Sequence, residues 1–125
     1  MSSRQLARSA GGVLAEHLLR CDDPDAILSI YLNPESRKLP AERLRILVSL
    51  MDEISLERLD FWERRWENVC ERIATDVSCL LDSNPADRDA ERGLKMLDSM
   101  ISDGPQLSRA KVRDLRKDIR TRFGK

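Results

Sequence analysis

Residues 56–81 read LERLDFWERRWENVCERIATDVSCLL, and the spacing of their large apolar side chains decides the fold. Leu59, Trp62, Trp66, Val69, Ile73 and Leu80 follow one another at steps of three, four, three, four and seven. That is the repeat of one helix face, not the alternation of a strand. Asp76 interrupts the stripe, and Val77 beside it fills the turn. A single helix from about Leu56 to Leu81 is therefore expected.

The same period extends outward in both directions. Upstream, Leu44, Ile46, Leu47, Val48, Leu50, Met51 and Ile54 are apolar almost all round, the mark of a central buried helix. Ser55 is a candidate cap for the next helix, although the two segments could equally be fused. Before these lies a short apolar helix, Ile27 to Leu32, introduced by Asp23-Pro24 and closed by Asn33-Pro34. An Asp caps orphan amides, a Pro at the first helical position loses no bond, and a residue before proline is pushed out of the helical region. A charged loop, Glu35 to Lys38, leads on to Pro40. The first helix spans about Ser3 to Arg20, with Leu6, Val13, Leu14, His17 and Leu18 as its stripe. Gly11-Gly12 interrupts it, so residues 1–10 are expected to be loosely ordered.

Downstream, Asn84-Pro85 repeats the cap-then-proline signal, and Ala90, Leu94, Leu97 and Ile101 follow up to Gly104-Pro105. The last helix, about Ser108 to Phe123, has Val112, Leu115, Ile119 and Phe123 as its seam. Five helices result if the third and fourth are fused, and six if they are separate. The fold expected is all-α: one domain over residues 1–125, built as a compact antiparallel bundle or a helix-hairpin stack.

Composition supports this. The 125 residues are 41% apolar and 35% charged, with only 4% aromatic, too apolar for a disordered chain and too charged for a membrane span. No apolar run reaches a membrane helix, and the N-terminus lacks an apolar signal core. A cytoplasmic protein is expected, with the nucleus as the alternative.

Chemistry is sparse. Cys21, Cys70 and Cys79 lack metal spacing, and Cys70 and Cys79 would point about 180° apart on one helix. They read as buried thiols in a reducing compartment. His17 is the sole histidine and reads as packed or half-exposed. Asp22, Asp23 and Asp25 lack the glycine and distal Glu of a calcium loop, so helix capping explains them. Glu53, Glu57 and Asp60 share a face but sit among Arg58, Arg64 and Arg65, as surface ion pairs do. No nucleophile elbow or phosphate loop is present. No catalytic residue, metal site or cofactor is expected.

Binding leaves more trace. Phe61, Trp62, Arg65 and Trp66 combine the residue types that concentrate energy at interfaces. Core packing is the plain account of the two tryptophans. On a continuous helix, however, Phe61 and Trp62 point about 100° apart, so at least one aromatic is expected at the surface or in a groove. Charge marks a second patch. Residues 21–103 carry 19 acidic and 11 basic residues, whereas 104–125 carry 8 basic and 2 acidic. The basic C-terminal helix, residues 105–125, either packs on the acidic body or offers Arg109, Lys111, Arg113, Arg116, Lys117, Arg120 and Arg122 to an acidic protein or to phosphates. No interleaved aromatic serves base stacking, and Asp114 and Asp118 dilute the patch. The expectation is a non-enzymatic protein–protein interaction module, an adaptor, regulator or subunit. It would use the aromatic cluster and the basic helix to meet a partner helix, an acidic surface or a second copy. Nucleic-acid binding through the basic helix is the alternative.

Overall fold

The computed structural model describes the backbone of residues 10–33, 39–54, 56, 58–104 and 109–125, and the side chains of these except 10–12 and 59. The readings made for residues 1–9, the Glu35–Lys38 loop, Ser55, the side chain of Leu59 and residues 105–108 lie outside it. Seven helices are present among the described residues, and no strand. They are α1 (Ala10–Arg20), α2 (Pro24–Leu32), α3 (Pro40–Glu53), α4 (Leu59–Trp62), α5 (Trp66–Ser83), α6 (Arg88–Asp103) and α7 (Arg109–Phe123).

The punctuation acts largely as the sequence suggests. The Asp23 carboxylate accepts from the Ala26 amide at 3.3 Å, Pro24 opens α2, and Asn33 leaves it in an extended conformation. Pro40 opens α3. At the α5–α6 corner the roles divide. Asn84 closes α5, its amide donating to the Leu80 carbonyl, and Asp87 caps α6 by accepting from the Ala90 amide at 2.9 Å. The cap of α6 is therefore Asp87, beyond the proline, because Pro85 and Ala86 form a turn before the helix starts.

The helix expected over 56–81 is two. A turn at Glu63–Arg65 separates α4 from α5, and α3 is not fused to either. This split raises the count to seven.

The core is organised on α5. Its inner residues Trp66, Val69, Cys70, Ile73, Val77 and Leu81 are buried where α3, α6 and α7 pack against it. Helix α1 packs on α3, and α2 bridges α1 and α5. Helix α1 buries Ala15 and Leu18 and turns Val13 and His17 to solvent, so its inward stripe is rotated from the one expected.

Two glycines fix close approaches. A Cβ at Gly93 of α6 would overlap Val77 Cγ2 and press on Leu44 at 3.2 Å. A Cβ at Gly104 would overlap the Trp66 ring and the Met100 carbonyl.

Asp76, the residue that breaks the apolar stripe, is fully buried and takes a two-pronged hydrogen bond from the Arg43 guanidinium of α3. Nε donates at 2.8 Å and Nη2 donates to the other oxygen. That bond holds the Arg43 cation well above its usual range.

Candidate interaction surfaces

The aromatic patch expected at the surface is interior. Trp62 and Trp66 are 0% exposed, Phe61 6% and Arg65 7%. The turn at 63–65 is the reason. It breaks the rod between Trp62 and Trp66 and lets α4 take its own direction relative to α5, and within α4 Phe61 and Trp62 are both buried and pack edge to face at 4.8 Å. Arg65 caps the cluster, its guanidinium carbon 4.6 Å from the centre of the Phe61 ring. Its Nη1 donates to the Phe61 carbonyl at 2.5 Å, while Nε and Nη2 donate to Asp25 at 2.6 and 3.2 Å. These bonds tie the corner to α2 and depress the Asp25 carboxyl below its usual range. In this fold Phe61, Trp62, Arg65 and Trp66 are buried and pack as part of the interior.

The basic helix divides by face. Val112 and Ile119 are buried, with Leu115 and Phe123 beside them. Lys111 pairs with Glu71 at 2.6 Å, Arg122 with Asp82 at 3.9 Å, and the largely buried Arg116 with Asp98 at 3.0 Å. Arg116 Nη2 also donates to the Lys125 carbonyl at 2.7 Å, and Arg109 Nε donates to the Gly104 carbonyl at 3.0 Å. Arg113, Lys117 and Arg120 are exposed and form no ion pair among the described residues. Of the two accounts of the charge asymmetry, packing on the acidic body pairs three cations with carboxylates, a backbone carbonyl takes Arg109, and Arg113, Lys117, Arg120 and Lys125 face outward.

A groove between α3 and α6 went unnoticed in the sequence. It encloses about 700 Å³, with Leu44, Ile46, Val48 and Met96 supplying a mostly apolar lining. Its rims are charged: Glu42, Arg45 and Asp52 on α3, Asp89, Arg92 and Lys95 on α6. Arg45 reaches Asp89 at 3.7 Å, which closes part of the rim. The Asp52 carboxyl holds its proton more tightly than usual because it is partly desolvated and sits beside Glu53. The signal available in the sequence was Ile46 and Val48, apolar residues off the inner face of α3, but a helix apolar all round hides which of its faces is left uncovered.

A second groove, of about 660 Å³, separates α2 from α5. The Arg72 Nε–H is buried there without an acceptor among the described residues.

Reactive chemistry does not converge on either groove. No group of three His, Cys, Asp or Glu side chains capable of holding a metal occurs among the described residues. Ser49 and Ser99 also line the first groove. Cys70 is buried and Cys79 exposed, as their half-turn offset requires, with Cys21 between the two. The expectation that all three thiols are buried holds for Cys70 alone. Burial pushes the Cys70 thiol up to about 11. No helix among the described residues is long and apolar enough to cross a membrane. Comparison with protein families, with characterised proteins and with solved structures finds no match to this chain.

Proposed function

We propose that the chain is a non-enzymatic protein-binding module that receives the helical surface of a partner in the α3–α6 groove. The groove itself carries this reading: an apolar trough bordered by charges of both signs is the form in which amphipathic helices are recognised. Half-buried Ile46 and Val48 would supply the apolar contact, and the rims would set register and orientation. In this reading the short connections stack the helices as an antiparallel bundle, whose rigid core presents the trough. The three unpaired cysteines suit a reducing compartment such as the cytoplasm. Nucleic-acid binding through outward-facing Arg113, Lys117 and Arg120 is the second reading.

The test compares Ile46→Asp, inside the groove, with Val13→Asp, an exposed apolar position on α1 (57% exposed). Tagged full-length chains are crosslinked in the native cell and the recovered proteins quantified, with circular dichroism to verify the fold. Specific partners should fall at least about tenfold for Ile46→Asp and persist for Val13→Asp. Equal recovery by both variants refutes the groove as the binding surface.

A further inference from the structure

We propose that the groove between α2 and α5 binds a small organic oxyanion, a carboxylate or phosphate monoester carried on an apolar body, through the guanidinium groups of Arg64 and Arg72. The site is separate from the α3–α6 groove and does not rest on the protein-binding reading.

The charge balance inside this groove carries the proposal. Its ionisable lining is Asp25, Arg64, Arg65, Glu71 and Arg72. Both carboxylates are already committed. Asp25 accepts from Arg65 Nε and Nη2, and Glu71 pairs with the Lys111 ammonium at 2.6 Å. Arg64 and Arg72 are left over. Arg64 is exposed and acts on Asp25 at longer range, without forming an ion pair among the described residues. Arg72 is half-buried, and its Nε–H is enclosed with no acceptor among the described residues. An N–H taken from water and left unbonded carries a desolvation cost that an acceptor would cancel. The enclosure also strengthens its attraction to any negative charge that reaches it. Arg65, Asn68, Arg72 and Thr75 follow at steps of three, four and three, so they share the face of α5 that borders the groove. Exposed Asn68 and Thr75 add neutral donors on either side of Arg72. Leu28 and Leu32 form the α2 side, an apolar wall for the body that carries the anion. A turn of the flexible Arg72 stem would present Nε–H and an Nη–H as a fork, the shape that meets two oxygens of a carboxylate or phosphate.

The experiment titrates the full chain with phenyl phosphate, phenylacetate, inorganic phosphate and neutral benzyl alcohol at low salt. Proton–nitrogen NMR follows the Arg72 Nε–H signal and the backbone amides of Asn68 and Thr75. At least one of the two aromatic anions should shift all three signals saturably, with a Kd of about 1 mM, and the tighter of the two identifies the head group. Inorganic phosphate, which leaves Leu28 and Leu32 uncovered, should bind about threefold or more weaker, and benzyl alcohol should not saturate. Arg64→Gln/Arg72→Gln, read from the backbone amides, should weaken the anion about tenfold or more. Arg64→Gln, at an exposed position, stands in if the double variant unfolds, with an expected loss of about fivefold. Arg113→Gln/Lys117→Gln, on the outer face of α7, should bind as the wild type does. Three results overturn the proposal: no saturable shift with either aromatic anion up to about 50 mM, some fiftyfold above the expected Kd; an equal loss in the α7 variant, which would mark general attraction to surface cations; and benzyl alcohol binding as tightly as the anions. None of them touches the α3–α6 reading, which stands or falls on whether Ile46→Asp loses partners that Val13→Asp retains.

Discussion

Asp76 is where the sequence pattern and the chemistry of the interior part company. A carboxylate fully removed from water is tolerated only because the Arg43 guanidinium meets both of its oxygens. Removing one partner leaves an uncompensated buried charge, so Arg43→Met alone should cost about 3–5 kcal/mol in a urea titration, whereas Arg43→Met/Asp76→Leu should recover most of that loss. The interruption of the stripe was legible in the sequence; its partner was not, since Arg43 lies 33 residues away on another helix. The thiols make a sharper contrast. Cys79 should alkylate readily at pH 8, while Cys70, buried and shifted to about 11, should react only after unfolding. Peptide mass spectrometry of the native protein after iodoacetamide would show this. Asp52 gives the pH dependence. Its proton affinity is raised in the fold, so its contribution to stability is complete below the ordinary Asp value of about 3.9 and lost as pH rises through the shifted one. Asp52→Asn, neutral throughout, should therefore melt higher than the wild type at pH 7 and no higher at about pH 3.

Gly93 sets how closely three elements meet. In an exposed helix interior, Gly→Ala gains about 1 kcal/mol. Here the added methyl overlaps Val77 of α5 and presses on Leu44 of α3, so Gly93→Ala should instead lose about 1–3 kcal/mol by thermal or urea denaturation. A gain would mean that α6 can move away from its neighbours at little cost. Elements of this kind were unevenly legible. Asp23-Pro24, Asn33 and Pro40 act locally, through caps and φ restrictions, and each marks a boundary that the fold keeps. The break at Glu63–Arg65 has no such local cause, for it contains neither Gly nor Pro. It is tertiary: Phe61, Trp62 and Trp66 can all face inward only if the rod bends between them, and Arg65 secures the bend by bonding across to Asp25 of α2. A rule that extends one helical period through residues 56–81 must place one aromatic outside, and the aromatic patch followed from that assumption. The groove was hidden for the opposite reason. Which side of an all-round apolar helix stays open depends on where its neighbours stop.

At the scale of the molecule, the acidic body and the basic last helix largely cancel in place. Of the 8 basic residues in 104–125, Lys111, Arg116 and Arg122 are paired to carboxylates of α5 and α6, and Arg109 is engaged by the Gly104 carbonyl. Arg113, Lys117 and Arg120 are the exposed cations of α7 that make no ion pair among the described residues, and Asp114 and Asp118 lie on the same helix. This turns the nucleic-acid reading into a number. Each phosphate neutralised contributes about −0.9 to the slope of log affinity against log salt on duplex DNA. With exposed Lys125, which also makes no ion pair among the described residues, four outward cations give a slope near −3.6, a loss of about 150-fold between 50 and 200 mM salt; all eight would give about −7 and a loss above ten-thousandfold. Fluorescence anisotropy with a labelled duplex should therefore show weak binding with a slope no steeper than about −4, and Arg113→Gln/Arg120→Gln should flatten it to about −2. A slope near −7 would mean that α7 leaves the body to bind, exchanging its carboxylate partners on α5 and α6 for phosphates. The packing of Val112 and Ile119 opposes that exchange, because both would be returned to water.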